Sequence, residues 1–309
     1  MAGVALKIAP LLAATAVFSA GSGLFVTLLP LRLDGYGYEG EAIGLVVSSY
    51  MVGFIVGCLM TQPLLRSVGH IRTYAAFAAL AAVIALALDW SSALPVWLAL
   101  RFAGGFASAA LGIVTESWLN ALSTNETRGR VLTVYVLTTG LFYGLGQLAA
   151  RDFEAGGSRL LMAAAGLYAL SLVPLTAIKV ESPKAPERMK LHLLHAFKVS
   201  PTGALGCLAT GLIAMTFAGI GSFYGRSLGL SQADIVFLLA ASQIGGIALQ
   251  FPLGWLSDRV DRRWVLVFMH AALIVVSAGF IFAEAVSPFW FLIIIFIGFG
   301  GFGEALYPV

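Results

Sequence analysis

The chain has 309 residues, of which 60% are hydrophobic and 11% charged, with a mean hydropathy of +0.94. A soluble globular domain carries about 25% charged residues, and no compact fold of this size has enough interior to hide so much apolar sequence. The solvent for that surface is mostly lipid, which excludes a soluble enzyme, a nucleic-acid-binding module and a disordered protein, and a formal charge of +3 is too small to imply a polyanionic partner.

Charges punctuate the chain into apolar stretches. In order these run from Ile8 to Leu31, Ala42 to Leu65, Thr73 to Leu88, Pro95 to Leu122, Val131 to Ala150 and Leu160 to Ile178. They continue from Val199 to Gly225, Ile235 to Ser257, Trp264 to Ala283 and Ala285 to Gly303. About 20 residues suffice to cross the hydrocarbon core as a helix, so the pattern predicts about ten spans in an all-α polytopic membrane protein. A transmembrane barrel would show apolar/polar alternation instead. Lys7 and the apolar run after it outline a signal peptide, but the run's length, Pro10 and Pro30 favour a first span.

The basic residues set the expected orientation. With the N-terminus in the cytoplasm, thirteen of the eighteen Lys and Arg residues fall on the cytoplasmic side and four on the far side, with Arg101 left inside a span. That asymmetry satisfies the positive-inside rule. The setting expected is a bacterial inner membrane.

The longest polar segment divides the chain into a six-helix bundle over 1–178, a cytoplasmic loop over 179–203 and a second bundle over 204–309. Within the loop, Met189, Leu193 and Phe197 form a stripe flanked by Arg188, Lys190 and Lys198, which predicts an interfacial amphipathic helix. His192 and His195 lie in it, as pH sensors or as ordinary solvated side chains. Cys58 and Cys207 sit far apart in apolar runs and read as small core residues.

The loop after the eighth span reads Gly254-x-x-x-Asp258-Arg259-x-Asp261-Arg262-Arg263, and the loop after the second reads Gln62-x-x-x-Arg66-x-x-Gly69-His70-Ile71-Arg72. The first resembles the loop motif of the major facilitator superfamily, with Asp261 where glycine is usual. The second is a degraded copy that keeps Gly69 and a basic end. Parallel repeats of six helices build that class of secondary transporter. Arg101-Phe102-Ala103-Gly104-Gly105 resembles the family's fourth-helix motif. Glu116-Ser117, Arg128-Gly129-Arg130, Gly144-x-Gly146-Gln147 and Leu306-Tyr307-Pro308-Val309 resemble its uncharacterised YcaD-type branch.

The resemblance implies two six-helix repeats. In these 309 residues the second repeat holds four helices, so the chain is expected to fall short of the family pattern by its last two helices. It also implies alternating access, with a small-molecule substrate bound between the halves, protons as coupling ion, and a monomer working in the bilayer without cofactor, metal or nucleic acid. A lipid flippase, or a non-transporting sensor on the same fold, is the alternative reading.

Arg101 lies about six residues into its span, where a charge is costly unless it faces water or a partner. It fits a substrate-carboxylate or proton-coupling role, or a structural arginine bonded to carbonyls of the first helix. Glu304, Tyr143, Gln147 and Gln243 complete the candidate substrate or coupling set. The candidate gating set is Gly69, Arg72, Glu116, Arg128, Arg130, Gly254, Asp258, Arg259 and Arg262, with Glu116 expected to pair with Arg128 or Arg130. Gly254 is expected to allow close helix approach, and Gly140, Gly144 and Gly146 to form a packing face on the fifth helix.

Overall fold

A computed structural model describes residues 2–176, 198–257, 259–283 and 288–304, and every regular element among them is helical. The helices are α1 (Ala2–Gly35), α2 (Gly40–Val68), α3 (His70–Ala87), α4 (Leu94–Leu122) and α5 (Arg128–Ala149). They continue as α6 (Ser158–Leu170, followed by a short helical turn at Val173–Thr176), α7 (Pro201–Ser227), α8 (Gln232–Ser257), α9 (Arg262–Ala283) and α10 (Phe289–Glu304). Eight helical segments are long and apolar enough to cross a membrane. Gly203–Ile213 in α7 and Phe289–Gly303 in α10 are shorter apolar stretches. The amphipathic loop helix expected around Met189, Asp258 of the loop motif, and Tyr307-Pro308-Val309 all lie outside the described residues.

Local chemistry places the helix ends. Pro95 sits in the first turn of α4, where its missing N–H costs nothing. Ser200 caps α7 by accepting a hydrogen bond from the Gly203 N–H, and Pro201 follows it. Between α2 and α3 the whole turn is one residue, Gly69, with φ 84° and ψ 168°, whose N–H bonds the Leu65 carbonyl. Only glycine occupies that region without strain, so Gly69→Ala is expected to cost about 1–3 kcal/mol. Thermal unfolding of the purified variant checks this; an unchanged Tm contradicts it.

Inter-residue contacts group the chain into two units, Met1–Glu187 and Arg188–Val309. In the first, α2 packs along α4, α1 along α5, and α6 lies against α1 and α3. A core at one end gathers Leu11, Leu65, Tyr74, Val114, Trp118 and Leu175. In the second, α8 packs along α10, which also contacts α9. There the core holds Leu253, Val265, Met269 and Leu273, with Phe217 stacked on Phe299 at 4.5 Å between ring centroids.

The closest helix pairs cross through reciprocal glycines. A Cβ on Gly53 of α2 would lie 1.9 Å from the Phe102 carbonyl oxygen, and one on Gly105 of α4 would lie 1.9 Å from the Tyr50 oxygen. The α1/α5 crossing repeats the device, with Gly23 against Tyr143 and Gly146 against Ala20. So does α8/α10, with Gly245 against Ile297 and Gly300 against Ser242. The second and fourth helices of each unit therefore meet in the same way, an internal repeat deeper than the loop motifs. Without a hydrophobic force between helices in lipid, such backbone proximity supplies the attraction.

Large apolar side chains cover the outer faces. Ile55, Val83, Met162 and Ile274 are between 60% and 70% exposed, as lipid-facing residues are when the solvent is hydrocarbon and each helix satisfies its own backbone.

Candidate functional site

Arg101 lies on α4 seven residues after Leu94, about 10 Å along the axis. Its side chain is 6% exposed. The guanidinium carbon stands over the Tyr50 ring of α2 at 4.3 Å and the Phe25 ring of α1 at 5.7 Å. Tyr168 of α6 and Tyr143 of α5 also approach it. Among the described residues it makes no hydrogen bond and no ion pair, so carbonyls of the first helix do not hold it. The sequence reading missed Tyr50, Phe25 and Tyr168.

The Arg101-x-x-x-Gly105 spacing now has a physical cause. Gly105, one turn after Arg101, lets α4 press its backbone against Tyr50 of α2. That proximity sets the Tyr50 ring against the guanidinium. The Ser49 hydroxyl pins the same level by donating to the Leu98 carbonyl at 2.7 Å. On the other side, Phe25 and Tyr168 meet edge-to-face with centroids 6.1 Å apart, and Ser22 lies within hydrogen-bonding reach of the Tyr168 hydroxyl.

On α5, Tyr143 is half-buried and Gln147 is 7% exposed, with its Oε1 lacking a hydrogen-bond partner among the described residues. Both stand where α5 crosses α1 at Gly23. Gly146 serves the close packing expected of that face, and Gly144 is buried there. Gln243 lies half-buried on α8, and Glu304 ends α10.

The loop residues are more scattered. Arg72 and Arg128 are exposed, and so is Glu116, which lies near Cys58 rather than in an ion pair with Arg128 or Arg130. His70, beside Gly69, is fully buried, with its Nε2 3.2 Å from the Ser117 hydroxyl and its ring 5.7 Å from that of Trp118. A Cβ on Gly254 would meet nothing within 4 Å, so the close approach expected there is made instead at Gly245, nine residues earlier. Arg259 stacks on Trp255, its guanidinium carbon 3.6 Å from the ring centroid. Arg262 opens α9.

At the opposite end of the first unit, Arg32 closes α1 and is only 3% exposed. Its guanidinium donates to the Asp89 carboxylate at 2.5 Å, the Gly157 carbonyl at 3.2 Å and the Tyr36 hydroxyl at 2.9 Å. Arg32 thus ties α1 to the loop after α3 and to the start of α6. The Ser158 hydroxyl foremost, and then Arg32, hold the Asp89 carboxyl below its ordinary value, against the opposing effect of partial burial.

A carboxyl with a lowered folded pKa adds stability above the unfolded pKa of about 3.9, and that stability is lost as pH falls from there through the folded value. The Tm gap between wild type and Asp89→Asn is therefore expected to shrink below about pH 4. A gap constant from pH 7 to pH 3 contradicts this.

The sequence matches the model of the Major Facilitator Superfamily over residues 11–308. It is 30% identical over 289 residues to the uncharacterised MFS-type transporter YcaD of Escherichia coli K12, covering 92% of this chain and 73% of that one. Among solved structures, a bacterial homologue of the human lysosomal transporter Spinster, inward-facing and unoccupied, superposes with a TM-score of 0.78 at 12% identity, over 97% of this chain and 74% of that one. The nucleoside transporter NupG gives 0.77 at 14%, over 97% and 80%. The D-xylose-proton symporter gives 0.65 at 13%, over 96% and 79%. A helical, multi-pass membrane chain with glycine-crossed repeats and a family match across nearly its full length belongs to the Major Facilitator Superfamily.

Proposed function

We propose that the protein is a secondary active transporter that moves a small molecule across a bacterial inner membrane by alternating access, coupled to protons. The observation that carries the reading is Arg101, a guanidinium 6% exposed inside a spanning helix with no acceptor among the described residues. Such a charge is costly in a lipid-embedded bundle unless it serves a ligand or a water-filled path. It stands where α4 and α2 pack closely through Gly53 and Gly105. A gradient as driving force suits a chain with no phosphate-binding glycine loop in its sequence, and the D-xylose-proton symporter shares the fold.

In this reading the protein is a monomer with a cytoplasmic N-terminus. The bundles over 1–178 and 204–309 rock about loops in which Gly69, Arg72, Arg128, Arg130 and Asp258 to Arg262 engage and release. Glu304, Tyr143, Gln147 and Gln243 join Arg101 as substrate or proton-coupling groups.

Alternating access is tested by exchange in proteoliposomes. Unlabelled solute inside is expected to accelerate entry of the same labelled solute, because a loaded carrier returns faster than an empty one. Entry that is indifferent to internal solute, for every solute that stabilises the protein, contradicts the proposal.

A further inference from the structure

We infer that Arg101, bordered by the Tyr50 and Phe25 rings, binds the carboxylate of an organic monoanion whose apolar body lies among the surrounding aromatic side chains. The inference rests on the transport reading and names the class of cargo.

A guanidinium carries five N–H donors and no acceptor. Here the Tyr50 and Phe25 rings border it, at 4.3 Å and 5.7 Å from the guanidinium carbon, and none of its N–H groups has a protein acceptor among the described residues. Ring faces attract the cation but accept no strong hydrogen bond, so its donors stay unmatched. Two such donors side by side fit the two oxygens of a carboxylate, in the strongest geometry a guanidinium offers.

Charge selects the ligand further. Arg101 is the one Lys or Arg inside an apolar stretch of the sequence, so the site offers a single positive charge. A monoanion neutralises it, whereas a phosphate monoester carries nearly two negative charges at neutral pH and would leave one buried and uncompensated. An ammonium would add a second positive charge, and a neutral solute could accept hydrogen bonds but would leave the positive charge uncompensated. Among the described residues no carboxylate pairs with Arg101, and Glu116 on the same helix lies fifteen residues along α4, about 22 Å away. The walls bear on the rest of the molecule. Tyr50, Phe25, Tyr143 and Tyr168 approach the cation, so the body attached to the carboxylate meets aromatic surface.

The test is ligand-induced stabilisation of the purified full chain in detergent. The probes are a panel of monocarboxylates from acetate to naphthoate, with the matched alcohols, amines and phosphate monoesters at equal ionic strength. Aryl carboxylates are expected to raise Tm in a saturable way, and their matched alcohols and amines are not. Arg101→Gln is expected to abolish the shift, and Arg101→Lys to weaken affinity about 10-fold or more, because a point charge replaces the fork. Should Arg101→Gln fail to fold, Tyr50→Leu keeps the cation and is expected to weaken the same ligands.

The inference is overturned if no carboxylate shifts the wild type, if alcohols or phosphate monoesters shift it as well as carboxylates do, or if Arg101→Gln binds undiminished. Saturable carboxylate binding without transport supports this inference and sinks the transport reading. Transport of a cation or neutral solute by a protein that binds no carboxylate does the reverse.

Discussion

Gly105→Ala is expected to destabilise the first unit by about 1–3 kcal/mol, and Gly105→Val by more. The added Cβ would lie 1.9 Å from the Tyr50 carbonyl oxygen and 2.9 Å from the Phe54 nitrogen, both backbone atoms that no rotamer change can move. Relief requires α4 to withdraw from α2 and so to give up the packing that holds the pair together in lipid. Gly112, seven residues further along α4, is the control. A Cβ there would meet nothing within 4 Å, so Gly112→Ala is expected to be neutral or to gain up to about 1 kcal/mol of helix propensity. Thermal unfolding of the two variants side by side reads the difference, and equal Tm values contradict the crossing. The same withdrawal carries Tyr50 off Arg101, so Gly105→Ala is also expected to weaken carboxylate binding in whatever protein remains folded.

Asp89→Ala is expected to cost about 1–3 kcal/mol, less than the 3–5 kcal/mol typical of a fully buried pair because the Asp89 side chain is 28% exposed. The loss comes from what stays behind. Arg32, 3% exposed, would keep its bonds to Gly157 and Tyr36 but lose its only carboxylate among the described residues. Arg32→Met removes the charge together with its need for a partner, and is expected to be milder than Asp89→Ala. If Asp89→Ala is neutral in thermal unfolding, or Arg32→Met is the worse of the two, this account of the α1 end is wrong.

Much of the fold was legible because charge is expensive in lipid: apart from Arg101 and Glu116, the Lys, Arg, Asp and Glu residues fall outside the apolar stretches, and the helices begin and end near those marks. The Arg101 site was half legible for the same reason. A lone cation in an apolar helix had to be buried against something, yet nothing in the sequence said against what. Tyr50 and Phe25 sit in helices that are apolar on every face, so periodicity could not show which way their rings point. The glycine crossings were invisible for a different reason. Gly105 and Gly112 are alike in sequence, and only the path of the neighbouring helix separates a contact from open space. Gly254 failed as a packing glycine on that ground, and Glu116 failed to meet its expected arginines because closeness in sequence is not contact.

In the proposed cycle a proton gradient drives the solute uphill. The measurement is accumulation of a labelled solute, one that stabilises the wild type, in proteoliposomes with and without an imposed pH gradient. The account predicts accumulation above equilibrium when the gradient is present, mere equilibration when it is collapsed, and neither in Arg101→Gln at matched folded yield. Equal uptake with and without the gradient, or full accumulation by Arg101→Gln, would contradict it.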